Sequence, residues 1–144
     1  MPVLVATRGA RSPTLAARVR HSGRRLLEVL RLAEAELSVM LVDDRTMRRL
    51  NRRYRGRDRT TDVLSFPQAE GPAGAPAGLL GDVVISVPAT RRQARERGVR
   101  LAEEGDRLLV HGVLHLLGYD HERSEPDARR MRRRERDLTR ALDS

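Results

Sequence analysis

The 144-residue sequence predicts one α+β domain, a mixed sheet of about four strands packed among several helices. Three observations lead there. Short apolar runs of strand type alternate with segments whose apolar residues recur at helical spacing. The length suits one compact unit with a real core and is short for two. Neither an internal repeat nor a linker divides the chain, so residues 1–144 are expected to form a single domain.

The elements follow in order. PVLVA reads as a first strand. Ser12 then offers an N-cap oxygen with Pro13 at the first helical position, and Leu15, Val19, Leu26, Leu30 and Ala33 recur behind it. Ser22–Gly23 leaves open one long helix or two short ones. LSVMLVDD is a buried strand, after which Asp43 or Asp44 caps the helix RTMRRLNRRY, whose Met47, Leu50 and Tyr54 share a face. RGRDRTTDVLSFP is a turn feeding the strand DVLSF, closed by Pro67. The following QAEGPAGAPAG, residues 68–78, is nearly uncharged and rich in Gly and Pro, which makes it a surface loop, either a lid or a tolerated insertion.

LLGDVVISV has the near-continuous apolar run of a strand and is ended by Pro88; the short basic helix ATRRQARERG is closed by Gly98. Between Leu101 and Leu117, Leu108, Leu109, Val113, Leu116 and Leu117 occupy most of the helix circumference toward its C-terminal end. That helix is therefore expected at the centre of the fold. The last segment carries Ala128, Met131, Leu138 and Leu142 on one stripe with Arg and Glu elsewhere, the pattern of an amphipathic surface helix.

Composition limits the chemistry. Aromatics are only 2% of residues against 39% apolar, so the core must be aliphatic. The chain has no cysteine, which excludes disulfides, thiolate metal sites and cysteine nucleophiles; any metal must be held by His or carboxylate. The sequence shows no signal-peptide pattern and no apolar run of about eighteen residues, so a cytoplasmic protein with no membrane partner is expected. All 29 basic residues are Arg, and the net charge is +9. Guanidinium grips phosphate in a bidentate way and stacks on bases, which fits a nucleic-acid partner. A coat of solvated Arg explains the charge equally well, so the charge gains meaning only beside a site.

HGVLHLLGYDH supplies that site. The chain has four histidines, and three of them, His111, His115 and His121, fall within this stretch. On a helix, residues four apart share a face, with Cβ atoms about 5–6 Å apart, so His111 and His115 can reach one ion. Gly118 stands where a left-handed backbone ends a helix, letting the chain reverse and return His121 as a third ligand. Three imidazoles leave a tetrahedral ion one open position, the arrangement of a catalytic zinc at the C-terminal end of a buried helix. Metzincin proteases share the spacing but need a Glu directly after the first His. Here that residue is Gly112, and Glu122, directly after the third His, is not placed to replace it. A metallopeptidase is thereby disfavoured. The metal would act as a Lewis acid or activate water, and in a strongly cationic protein a phosphodiester is the natural substrate.

LSVMLVDD, LNRRYRGRDRTTDVLSFP, LLGDVVIS and HGVLHLLGYDH, in this order, resemble the YbeY family of bacterial endoribonucleases over most of the chain. The resemblance implies a mixed sheet surrounded by helices and one Zn2+ held by His111, His115 and His121. It also implies an activity-linked arginine before TDVLSF, matched here by Arg55. Arg55 and His115 are the expected catalytic residues, Arg55 holding a phosphate oxygen as charge develops. Asp62 either orients Arg55 or satisfies local backbone, with the structural role preferred; Asp120 is either an outer partner of the metal or a turn residue. Thr60 stands where the family often has proline.

By that resemblance the activity is metal-dependent cleavage of single-stranded RNA in 16S rRNA 3′-end maturation and in late-stage 70S ribosome quality control. The partners would be rRNA and the ribosomal small subunit, and the expected state is a monomer. With only Tyr54, Phe66 and Tyr119 available for stacking, recognition would lean on Arg and on RNA shape. The competing reading is a non-catalytic ribosome-assembly factor that binds RNA around a structural metal.

Overall fold

The computed structural model describes residues 3–67 and 78–143. Almost all of the predicted loop 68–78 therefore lies outside the described residues. Strands β1 (Val3–Arg8), β2 (Glu36–Val42), β3 (Val63–Pro67) and β4 (Leu79–Ser86) form one sheet in the order β1-β2-β4-β3. The first two pairings are parallel and β3 runs antiparallel to β4. The mixed sheet expected from sequence is thus present. Central β4 is buried nearly throughout, which is why its sequence lacks polar alternation.

Helix α1 (Pro13–Val29) crosses from β1 to β2 and is continuous. Ser22 and Gly23, which left a break open, instead serve packing. The Ser22 hydroxyl donates to Asp106 at 2.6 Å, and a Cβ on Gly23 would lie only 3.2 Å from both Val3 methyls. Small residues here let a helix approach its neighbours. Helix α2 (Asp44–Arg55) starts at Asp43, whose carboxylate accepts from the Thr46 N–H at 2.8 Å, and ends at Gly56 in the left-handed conformation.

The remaining helices are α3 (Val87–Arg97), α4 (Leu101–Leu116) and α5 (Glu125–Asp143). One boundary differs from the sequence reading, which ended the strand at Pro88. The strand stops at Ser86, whose hydroxyl accepts from the Ala89 N–H at 3.1 Å, so Val87 and Pro88 form the first turn of α3. Proline is at home there because its missing N–H is one that a first turn leaves unpaired.

Two aliphatic clusters lie on opposite faces of the sheet. Leu37, Val39, Leu41, Val83 and Ile85 pack with α1, α4 and α5, while Met40, Val42 and Val84 pack with Met47, Leu50 and Tyr54 of α2 and with Phe66. This alternation along β2 and β4 is the period-two signature of strands covered on both sides. Helix α4 is central, touching α1, α3, α5, β3 and β4. Its N-terminal half carries two buried acids. Asp106 is paired with Arg18 in a two-point contact, and Glu104 meets Arg97 and Arg107. No described helix is long and apolar enough to cross a membrane.

Candidate metal centre and phosphate-binding cleft

The C-terminal end of α4 sets the geometry. The Tyr119 N–H bonds to the Leu114 carbonyl, the Gly118 N–H bonds to the His115 carbonyl, and Gly118 has φ +96°. This pair of bonds is the Schellman closure, and it needs a residue in a conformation that L side chains rarely adopt. The chain turns sharply there and His121 comes back beside the helix. One ring nitrogen from each of His111, His115 and His121 lies within 4.8 Å of the other two, and His111 Nε2 and His115 Nε2 are 3.2 Å apart. Tetrahedral ligands at about 2.0–2.1 Å from an ion would stand about 3.3 Å from each other. The three nitrogens are therefore a small inward movement from that spacing, and they can hold a metal ion.

Two neighbours tune the imidazoles. Glu135 of α5 accepts from His111 Nδ1 at 2.5 Å. That bond fixes the tautomer and leaves the Nε2 lone pair facing the other two rings, the usual way a carboxylate orients a metal-binding histidine. Burial, then repulsion from His111 and His121, holds His115 below the ordinary imidazole range. A neutral ring is the form that can donate to a metal.

Arg55 lines the same cavity as the three histidines, a cleft of about 650 Å³. It ends α2, and its guanidinium is fixed on two sides: Nη2 donates to the Ser65 carbonyl at 2.6 Å, and the fork lies over the Phe66 ring at 4.7 Å from its centroid. Nη1 also donates to the Tyr54 carbonyl at 3.4 Å; the side chain is nonetheless exposed, so the N–H groups outside these bonds are available to an incoming anion. Ser65 also donates its hydroxyl to the Gly112 carbonyl of α4 at 2.8 Å. One residue of β3 thus ties the arginine to the helix bearing His111 and His115.

Gly112 is required by the packing. A Cβ there would sit 2.6 Å from a Val83 methyl and 3.2 Å from the Ser65 hydroxyl. No protease-type glutamate fits at that position. Asp62 accepts from the Val63 N–H and from Gln93, while Arg55 is held elsewhere, so its contacts are those of the preferred structural role. Asp120 accepts from the Glu122 N–H at 2.8 Å as a turn residue, and its charge also partly offsets the downward shift of His115. Thr60, at the position of the expected proline, donates to Asp44 at 3.4 Å.

With this geometry established, comparison with known proteins gives a clear result. Residues 8–143 match the family described as Endoribonuclease YbeY. The chain belongs to that family. A relative from Anaeromyxobacter sp. (strain Fw109-5), named Endoribonuclease YbeY, is 50% identical over 141 residues, covering 98% of this chain and 72% of its own. Another of that name, from Geobacter metallireducens, is 45% identical over 146 residues, covering 99% and 97% of the two chains. The solution structure of TM1509 from Thermotoga maritima matches with a TM-score of 0.65 at 24% identity, over 96% of this chain and 89% of that one, a likeness of fold.

The structure brings together in one cleft the three histidines singled out by their spacing and Arg55, singled out by the family resemblance; Glu135 and Ser65, which contact them, were not among the residues the sequence pointed to. Ser65 had left a signal, since it is the one polar residue in the strand VLSF of this YbeY-family chain. Glu135 had left none: it is an acid within the Arg-rich run RRRER, and its partner lies 24 residues away on another helix.

Proposed function

We propose that this chain, residues 1–144 as one catalytic domain, is a zinc-dependent endoribonuclease that cuts single-stranded RNA. The carrying observation is that Arg55 and three convergent imidazoles line the same cleft. Membership of the YbeY family supports RNA as substrate and hydrolysis of its phosphodiester bond as reaction. In this reading His111, His115 and His121 hold the metal, with Glu135 fixing the orientation of His111. A zinc ion so held supplies Lewis acidity toward a phosphoryl oxygen and lowers the pKa of water. His115 is kept neutral by burial and so remains a donor at physiological pH. Arg55, braced by Ser65 and Phe66, binds a non-bridging phosphate oxygen and stabilises the charge that grows there. Because the arginine is held before substrate arrives, little reorganisation is needed.

The same reading assigns the chain to 16S rRNA 3′-end maturation and late-stage 70S ribosome quality control, as a cytoplasmic monomer acting on the small subunit. The test is Arg55→Ala. Cleavage of single-stranded RNA should fall by about 10²-fold or more, while zinc content by elemental analysis stays at the wild-type level. Full-rate cleavage by that variant would remove Arg55 from the mechanism. If the wild-type protein, freed of contaminating nuclease, showed no metal-dependent turnover, the RNA-binding assembly factor would be the correct reading.

A further inference from the structure

A second cavity, of about 690 Å³, lies between α3, the start of α4 and α5. Three of its four acids are already engaged, Glu104 with Arg97 and Arg107, Glu103 with Arg100, and Glu135 with His111, and the fourth, Asp143, stands at the last turn of α5. Its arginines on α5 are not so engaged. Among the described residues, no carboxylate lies within ion-pair distance of Arg129, Arg132, Arg133, Arg136 or Arg140, all of which line the cavity and are exposed. Their neighbour Arg130, which points elsewhere, does have an acid, Asp127 at 3.6 Å.

The five stand at successive intervals of three, one, three and four, so they share one face of the helix, a stripe about 100° wide and about 16 Å long at 1.5 Å per residue. Like charges at this spacing oppose helix formation, and nothing in the packing of α5 calls for them, because its buried stripe is Ala128, Met131, Leu138 and Leu142. A stripe of guanidiniums without ion-pair partners is complementary to a repeating anion, whose condensed counterions it can displace. The cavity also abuts the candidate centre. Glu135 lines one cavity, His111 lines the other, and their 2.5 Å contact is the shared wall.

We propose that the Arg129–Arg140 face of α5 is a phosphate track that carries the backbone of single-stranded RNA away from the cleft of Arg55 and the three histidines. The proposal rests on the RNA reading above for the identity of the partner. The track reads phosphate and no base edge, so it adds affinity and salt sensitivity without sequence preference.

A track of this kind does not sense the 2′-hydroxyl, so a labelled single-stranded DNA of roughly twelve nucleotides serves as a probe that a ribonuclease leaves whole. Its affinity is measured by anisotropy across a salt series for the wild-type chain, for Arg132→Gln/Arg133→Gln/Arg136→Gln, for the same three positions changed to Lys, and for Arg8→Gln/Arg11→Gln/Arg20→Gln as a charge-matched control. At about 0.7 counterions released per single-strand phosphate contact, the Gln triple on α5 should lower the log–log salt slope by about 2. The Lys triple and the control should keep the wild-type slope, since Lys retains the charge and the control residues lie outside the track. An unchanged slope in the α5 Gln variant, or an equal fall in the control, would overturn the proposal. So would an unchanged slope together with lost binding to poly-glutamate, which would assign the face to an acidic protein. Cleavage is not read here, so a chain that tracks phosphate as described yet never cuts RNA would fail only the nuclease reading.

Discussion

Glu135 and His111 show how little separates a surface acid from a part of the candidate metal centre. The carboxylate sits on a helix otherwise dominated by Arg, yet its hydrogen bond with His111 decides which nitrogen of that ring faces inward. Removing it frees the ring to rotate and to adopt the other tautomer. Glu135→Ala is therefore expected to weaken metal binding by about 10–100-fold, read by competition with a chromogenic chelator. Glu135→Gln should retain much of the affinity, because its amide oxygen still accepts from Nδ1. Wild-type affinity in the Ala variant would mean that the packing of α4 alone orients His111. Gly112 is the converse case, where the absence of a side chain is the functional choice: it lets α4 lie close on Val83 and accept the hydroxyl of Ser65, the residue whose own carbonyl holds Arg55.

Helix α2 delivers Arg55, so its start matters as much as its end. Asp43 caps it, and hydrogen bonds from Thr46 hold the Asp43 carboxyl below the ordinary carboxylate range. An acid whose folded pKa is depressed stabilises the fold above the unfolded value of 3.8, and that contribution is lost as pH falls through the lower folded value. Asp43→Ala should cost about 1 kcal/mol by urea unfolding at pH 7. Asp43→Asn should keep most of the cap but lose its share of the acid-side slope. If the Asn variant titrated like the wild type below pH 4, the slope would belong to other carboxylates. The helices and strands could largely be read from the chain because each announces itself locally: Ser12–Pro13, Asp43 and Gly118 are start and stop signals whose chemistry acts within one turn. What could not be read depends on distant partners. Ser22–Gly23 looked like a break because Asp106 and Val3, which explain the two small residues, are far along the chain. Pro88 looked like a strand end because proline is equally compatible with a first helical turn.

The distribution of charge across the chain explains where its stability should reside. With 29 Arg against 20 acids, self-repulsion opposes compactness, and the acids buried deepest, Asp106 and Glu104, are spent on pairs that join α4 to α1 and to α3. At its other end α4 meets α5 through the contact of His111 with Glu135. That end is closed by the Schellman turn and by three imidazoles that face one another at close range. A metal there would join the end of α4 to the returning segment with His121 and, through Glu135, to α5. Because the unfolded chain does not hold the three rings together, binding free energy adds to folding free energy. With free zinc about a hundredfold above its Kd the gain is about 2.7 kcal/mol, which for a chain of this length is a rise in Tm of roughly 6–12 °C. Chelation should reverse it. His115→Ala should abolish the response to zinc altogether, because two of the three ligands cannot close the site, while leaving the paired N-terminal half of α4 intact. Scanning calorimetry of both proteins with zinc and with chelator measures all four states; equal Tm values for the wild type with and without metal would show that the imidazole cluster does not bind zinc tightly enough to matter for the fold.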